Sequence, residues 1–99
     1  KIKFYGVNSD GTLAPAATAR GYGHWFTAAG DVCAFDSGTG GANRIFSEFS
    51  ESGFVFSLGQ HPGRCKAGDV YKIKQALVYS PEAGEKYTAT FEFNITITP

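Results

Sequence analysis

From Tyr87 to Thr98 the side chains alternate strictly. Tyr87, Ala89, Phe91, Phe93, Ile95 and Ile97 are apolar, while Thr88, Thr90, Glu92, Asn94, Thr96 and Thr98 are polar. A period of two puts the first set on one face of an extended strand and the second on the other. Such a strand needs a partner beside it and a cover over its apolar face. The preceding segment supplies the partner. Residues 70–79 place Tyr71, Ile73, Gln75, Leu77 and Tyr79 on one side. A loop at residues 81–85 then pairs Tyr79 with Tyr87, Ile73 with Phe93 and Tyr71 with Ile95. This register also sets Lys74 opposite Glu92 on the wet face, a favourable cross-strand pair. A slip of one residue would oppose apolar to polar side chains throughout.

The rest of the chain reads as short strands between regular breaks. The 13 glycines cluster in those breaks, while Phe, Tyr, Val, Ile and Thr dominate the patterned segments. Residues 44–49 and 54–58 read as a hairpin with Ile45, Ser47, Phe49, Phe54, Phe56 and Leu58 on one face and Phe46, Glu48, Val55 and Ser57 on the other; the nine phenylalanines are expected to be mostly core. Residues 23–27 and 32–35 read as another, with residues 28–31 as its loop. That loop opposes Phe26 to Cys33 and Trp25 to Ala34. Phe26, Cys33 and Phe35 then face the core, and Trp25 faces outward among small residues. Residues 2–7 pair at an edge or beside the last strand, and residues 8–20 form a surface excursion. These elements predict one all-β domain over residues 1–99, an antiparallel β-sandwich of jelly-roll-like or Ig-like type with about seven to eight strands.

A chain of 99 residues suits a single modest core that would gain from a covalent staple. Its nine basic and nine acidic side chains cancel without forming blocks, which argues against a nucleic-acid or anionic-membrane partner. No apolar run approaches the roughly 20 residues of a membrane span. The absence of methionine and the start at Lys1 read as a mature or excised module of a larger protein. Cys33 and Cys65 are too few for a cysteine zinc site without help. A disulfide closing about 32 residues is the simpler reading; two buried free thiols are the other. Asp31, Asp36 and Asp69 lack the spacing of a calcium site, and no cofactor is expected.

Taken together, several segments resemble a known family. They are Gly23-His24-Trp25-Phe26, Gly30-Asp31-Val32, Ile45-Phe46-Ser47-Glu48-Phe49, Leu58-Gly59-Gln60-His61-Pro62-Gly63, the run from Ala67 to Tyr79, and Phe91 to Ile97. They are similar to a family of domains of unknown function, about 100 residues long, in secreted and surface proteins of gut Bacteroidetes and related bacteria. The resemblance implies an extracellular β-sandwich accessory module beside glycan-degrading modules of the same parent protein, with a role in carbohydrate recognition. It carries no catalytic residues to transfer.

On the residues themselves, the single tryptophan, Trp25, is the leading candidate site, because a rigid indole can stack on the apolar face of a sugar ring. The alternative is that it packs under residues 8–20. Tyr22 and Tyr5 are candidate second platforms. Asp36, Gln60, His61 and Arg64 offer carboxylate, amide, imidazole and guanidinium groups to sugar hydroxyls. Turn chemistry around Pro62-Gly63, with Gln60 tying down backbone amides, is the plainer account of that loop. Gln75 falls on the core face, where a buried amide must find a partner, and His24 reads as a satisfied core histidine. Glu48, Glu51, Asp31, Asp36, Asp69 and Glu92 lie mostly at turns or on wet faces, so no glycosidase pair is expected. The chain is therefore expected to be a secreted, non-catalytic module that binds a polysaccharide or oligosaccharide. A structural or protein-interaction module that docks neighbouring domains is the alternative.

Overall fold

The computed structural model describes residues 2–15 and 23–99. Eight strands follow one another: β1 (Ile2–Val7), β2 (Leu13–Pro15), β3 (Gly23–Thr27), β4 (Val32–Cys33), β5 (Arg44–Ser50), β6 (Val55–Gly59), β7 (Val70–Tyr79) and β8 (Tyr87–Thr96). They form two four-stranded antiparallel sheets, ordered β2-β1-β7-β8 and β4-β3-β5-β6, packed as a β-sandwich. Among the described residues no helix is long and apolar enough to cross a membrane.

The β7–β8 register is the one that the alternation demands. Tyr79 pairs with Tyr87, Ile73 with Phe93 and Tyr71 with Ile95. Lys74 Nζ lies 3.9 Å from Glu92 Oε2 on the wet face. Each of these strands runs for 10 residues, while the strands of the facing sheet have between two and seven. The hairpin therefore outruns its cover, and residues 87–90 are exposed. β1 sits between β2 and β7, neither at an edge nor beside β8. Part of the expected excursion is thus the edge strand β2.

Two hairpins depart from expectation. In β3–β4, Thr27 N–H donates to Asp31 O at 2.9 Å, and Gly30 N–H donates to Thr27 O at 3.0 Å. The loop is three residues with Gly30 left-handed at its end (φ 88°), the geometry that a three-residue hairpin favours. Neighbouring groups hold it. Ser9 N–H and Oγ–H donate to Asp31 Oδ1 at 2.8 and 2.7 Å, and Val32 N–H donates to Asn8 Oδ1 at 2.9 Å. Trp25 consequently pairs with Cys33 and Phe26 with Val32. Opposed residues share a face, so this one-residue shift moves Cys33 outward beside Trp25 and brings Val32 inward. Cys65 lies in the core, and both thiols are free. The expected Cys33–Cys65 disulfide is absent because the two side chains occupy opposite faces of one sheet. In β5–β6, Phe49 pairs with Phe56, two positions from the register that the sequence suggests. Phe54 therefore leaves the core for the turn, with φ of 55° and 52% exposure, its ring 5.2 Å from Phe49.

Inward-facing residues build two apolar lobes. One holds Phe26, Ile45, Cys65, Tyr71, Ile73 and Ile97. The other holds Phe4, Phe49 and Leu77. A buried polar belt separates them: His24 and Ser47, paired on β3 and β5, face Gln75 on β7. Ser47 Oγ hydrogen-bonds the Gln75 amide. Gly6 N–H donates to His24 Nε2 at 3.1 Å. The neutral ring then carries its proton on Nδ1, 3.4 Å from the same amide. Donors and acceptors match around the belt when the amide oxygen faces Nδ1 and its nitrogen faces Ser47. Gly6 makes the approach feasible, since a Cβ there would stand 2.5 Å from Val32 Cγ2 and 3.2 Å from the imidazole.

Candidate functional site

The outer face of the second sheet carries an aromatic cluster. β3 turns Trp25 outward, half-buried, and β5 sets Phe46 directly opposite it. Phe46 lies over Gly59, its partner on β6, where a Cβ would meet the ring at 3.1 Å. Beyond β4 the chain brings Phe35, 39% exposed, against the indole, and the loop after β6 brings His61. Ring centroids lie 4.9 Å (Trp25–Phe35), 5.3 Å (Trp25–Phe46), 5.3 Å (Trp25–His61) and 5.3 Å (Phe35–His61) apart. These separations and their tilted or edge-on angles are those of favourable aromatic contact. The rings touch one another and leave no slot between them, so a ligand would lie on the cluster.

The loop joining β4 to β5 packs against the rings. Gly40 and Gly41 are both left-handed, with φ of 68° and 87°. A Cβ at Gly41 would stand 3.0 Å from Phe35, 3.5 Å from His61 and 3.6 Å from Trp25, so a side chain there would wedge the rings apart. A Cβ at Gly40 would stand 3.1 Å from Arg64 Cζ, Nε and Nη2 alike, so the guanidinium plane lies face-on to that residue. Gly41 N–H donates to Asp36 O at 2.9 Å, which closes the loop on itself. Arg64 has its own backbone clamps: its N–H donates to His61 O at 3.1 Å, and Asn43 N–H donates to its carbonyl at 2.9 Å.

Of the residues picked out from sequence, Trp25 and His61 are in contact, and Arg64 and Asp36 border the same loop. Asp36 is largely occupied. Its Oδ2 lies 3.6 Å from Arg44 Nη1, and its Oδ1 accepts Gly38 N–H at 3.1 Å. Gln60 is committed to structure, its Oε1 accepting Cys65 N–H at 2.7 Å. Tyr5 stands on β1 in the other sheet, so it is no second platform for Trp25. Tyr22 lies outside the described residues. Phe35 went unrecognised because the four-residue loop reading assigned it to the core. Phe46 falls with Glu48 on the face opposite Ile45 and Phe49, but it was counted with the core phenylalanines, and nothing in the pattern said that β5 would lie beside β3. The indole is therefore not alone over small residues, as its immediate neighbours in sequence suggest; other rings frame it.

The acidic groups are mostly committed elsewhere. Asp31 is held below the usual carboxylate range by hydrogen bonds from the Ser9 backbone and hydroxyl, and Asp10 by hydrogen bonds from the Thr12 hydroxyl and backbone. Glu92 pairs with Lys74. Among the described residues no group of three or more His, Cys, Asp or Glu side chains is placed to hold a metal ion. A shallow hollow at residues 80–86 is lined by one hairpin loop alone, and no other element contributes to it.

A family model described as Domain of unknown function (DUF4859) matches residues 1–85. No curated protein and no solved structure matches the chain.

Proposed function

The chain belongs to this domain-of-unknown-function family, and from that premise we propose that it is a non-catalytic carbohydrate-binding module that stacks a sugar on the Trp25 cluster. One observation carries the reading: the indole is on the outer face, flanked by exposed Phe35 and His61, with Gly41 keeping a side chain out of their junction. An apolar, rigid, ring-lined surface with polar groups at its border suits the C–H face and hydroxyl rim of a pyranose. The resemblance noted above supports the setting, an exported glycan-degrading system of gut bacteria in which this module accompanies catalytic ones.

Trp25 is the single tryptophan, so its fluorescence reports this site alone. Titration with plant and host polysaccharides should shift the emission. Trp25→Ala should weaken retention in a polysaccharide gel about tenfold or more, a loss of about 1.4 kcal/mol. A flat response to every glycan, with retention of wild type and variant alike, would remove the proposal.

A protein-docking module is the second reading, favoured by Phe54, Val55, Tyr79 and Tyr87, which are between 45% and 58% exposed. These make two small patches, the Tyr79–Tyr87 cross-strand pair and the consecutive Phe54 and Val55, of a kind ordinary on a surface, whereas the Trp25 group joins four rings. The first reading is therefore preferred.

A further inference from the structure

We infer that the sugar taken by the Trp25 face is an acidic one, a uronic acid whose carboxylate is received by Arg64. The inference rests on the carbohydrate reading above and names the class of glycan. Its basis is the charge left over beside the rings. Arg44 and Asp36 form a pair with each other, at 3.6 Å, and Asp36 is further occupied by Gly38 N–H. Glu48, on the outer side of β5 with Phe46, has an interaction of its own. Arg64 is exposed, and among the described residues no carboxylate lies within ion-pair reach of it.

The geometry of that guanidinium favours a ligand. Three of its atoms are equidistant from the Gly40 Cβ position, so one face lies against that residue and the in-plane N–H groups are left clear of it. Those N–H groups form the fork that accepts a carboxylate bidentately. Gly40 underlies the guanidinium and Gly41 underlies the rings, and consecutive Cα atoms are about 3.8 Å apart. Stacking surface and cation therefore border neighbouring residues of one loop, so a sugar lying on the rings can turn the carboxylate at its ring edge toward Arg64. The clamped backbone of residue 64 reduces the freedom lost on binding.

The test is calorimetric and fluorescent titration of the whole chain with polygalacturonate, with its methyl-esterified form and with neutral glucans. The ester keeps the backbone and removes the charge. The acid should bind about tenfold more tightly than the ester at low salt, and the margin should shrink as ionic strength rises. Arg64→Gln should erase most of that margin by weakening the acid several-fold more than the ester, and Arg64→Lys should fall between. Unaltered thermal unfolding of Arg64→Gln would separate lost charge from lost fold. Equal binding of acid and ester, or an equal loss of both in Arg64→Gln, would overturn the acidic preference and leave the stacking face standing. A response to neutral glucans alone would do the same. Silence toward every glycan would overturn both readings together.

Discussion

His24 sits in the one layer of the interior that is not hydrocarbon. Burial pushes its imidazole below the ordinary histidine value, and the nearby Pro15 and Ala14 backbone opposes that shift. The unfolded chain therefore takes up a proton near pH 6.5 that the folded chain refuses. Stability should be complete above about pH 6.5 and decline as the pH falls below it, until the folded state also protonates. Urea unfolding midpoints between pH 8 and pH 5 check this, and a flat profile would show the belt tolerates charge. Asp31 and Asp10, both lowered, add their own loss only further into acid. Tyr71 is a second case. It is fully buried, its hydroxyl has no hydrogen-bond partner among the described residues, and burial first, then the Cys65 thiol, raises its pKa. Cys65 spends its own hydrogen on Arg44 O at 3.3 Å, leaving the phenol at most a weak sulfur acceptor. Tyr71→Phe should therefore stabilise the fold by about 1 kcal/mol, read as a raised denaturation midpoint. At this scale the candidate site was half legible. A lone tryptophan on an outward register is visible in sequence, but its ring neighbours are not.

The hairpins show how an element can be right while its face is wrong. β7–β8 was readable to the residue because alternation on both strands and a charge pair agreed on one register. β3–β4 was misread by one position because either of two loop lengths suits the segment from Ala28 to Asp31. The choice was made by Gly30 in the left-handed region and by Ser9 and Asn8, which grip Asp31 and Val32 from another hairpin. That single position determines whether two cysteines can meet. The observed register predicts two titratable thiols. Cys33, half-buried near the sheet edge, should react with an aromatic disulfide reagent in the native protein, and Cys65 only after unfolding. Absence of titratable thiol after denaturation under non-reducing conditions would mean that the bond forms and that the β4 face is inverted.

At the scale of the molecule, the family match ends at residue 85, while β8 begins at Tyr87. Yet β8 and the residues after it supply Phe93, Ile95 and Ile97 to one lobe and Phe91 to the other. A chain cut after residue 86 should lose cooperative unfolding and amide dispersion in NMR spectra. Several half-buried side chains together outweigh a margin of about 5–15 kcal/mol only narrowly, but the cut also strips one edge of β7 of its ladder, leaving it paired with β1 alone. A fragment that retains a sharp transition would show the sandwich closing without its last strand. The all-β class, most of the strand positions and the β7–β8 pairing were settled by the sequence alone, because a period of two is a local property written into each segment. Which strand lies beside which, and so which rings surround Trp25 and which cation lies next to them, was decided only by the tertiary structure. Phe35, Phe46, His61 and Arg64 converge through loops whose closure depends on a left-handed glycine and on hydrogen bonds from distant turns. Alternation along one strand cannot register such contacts.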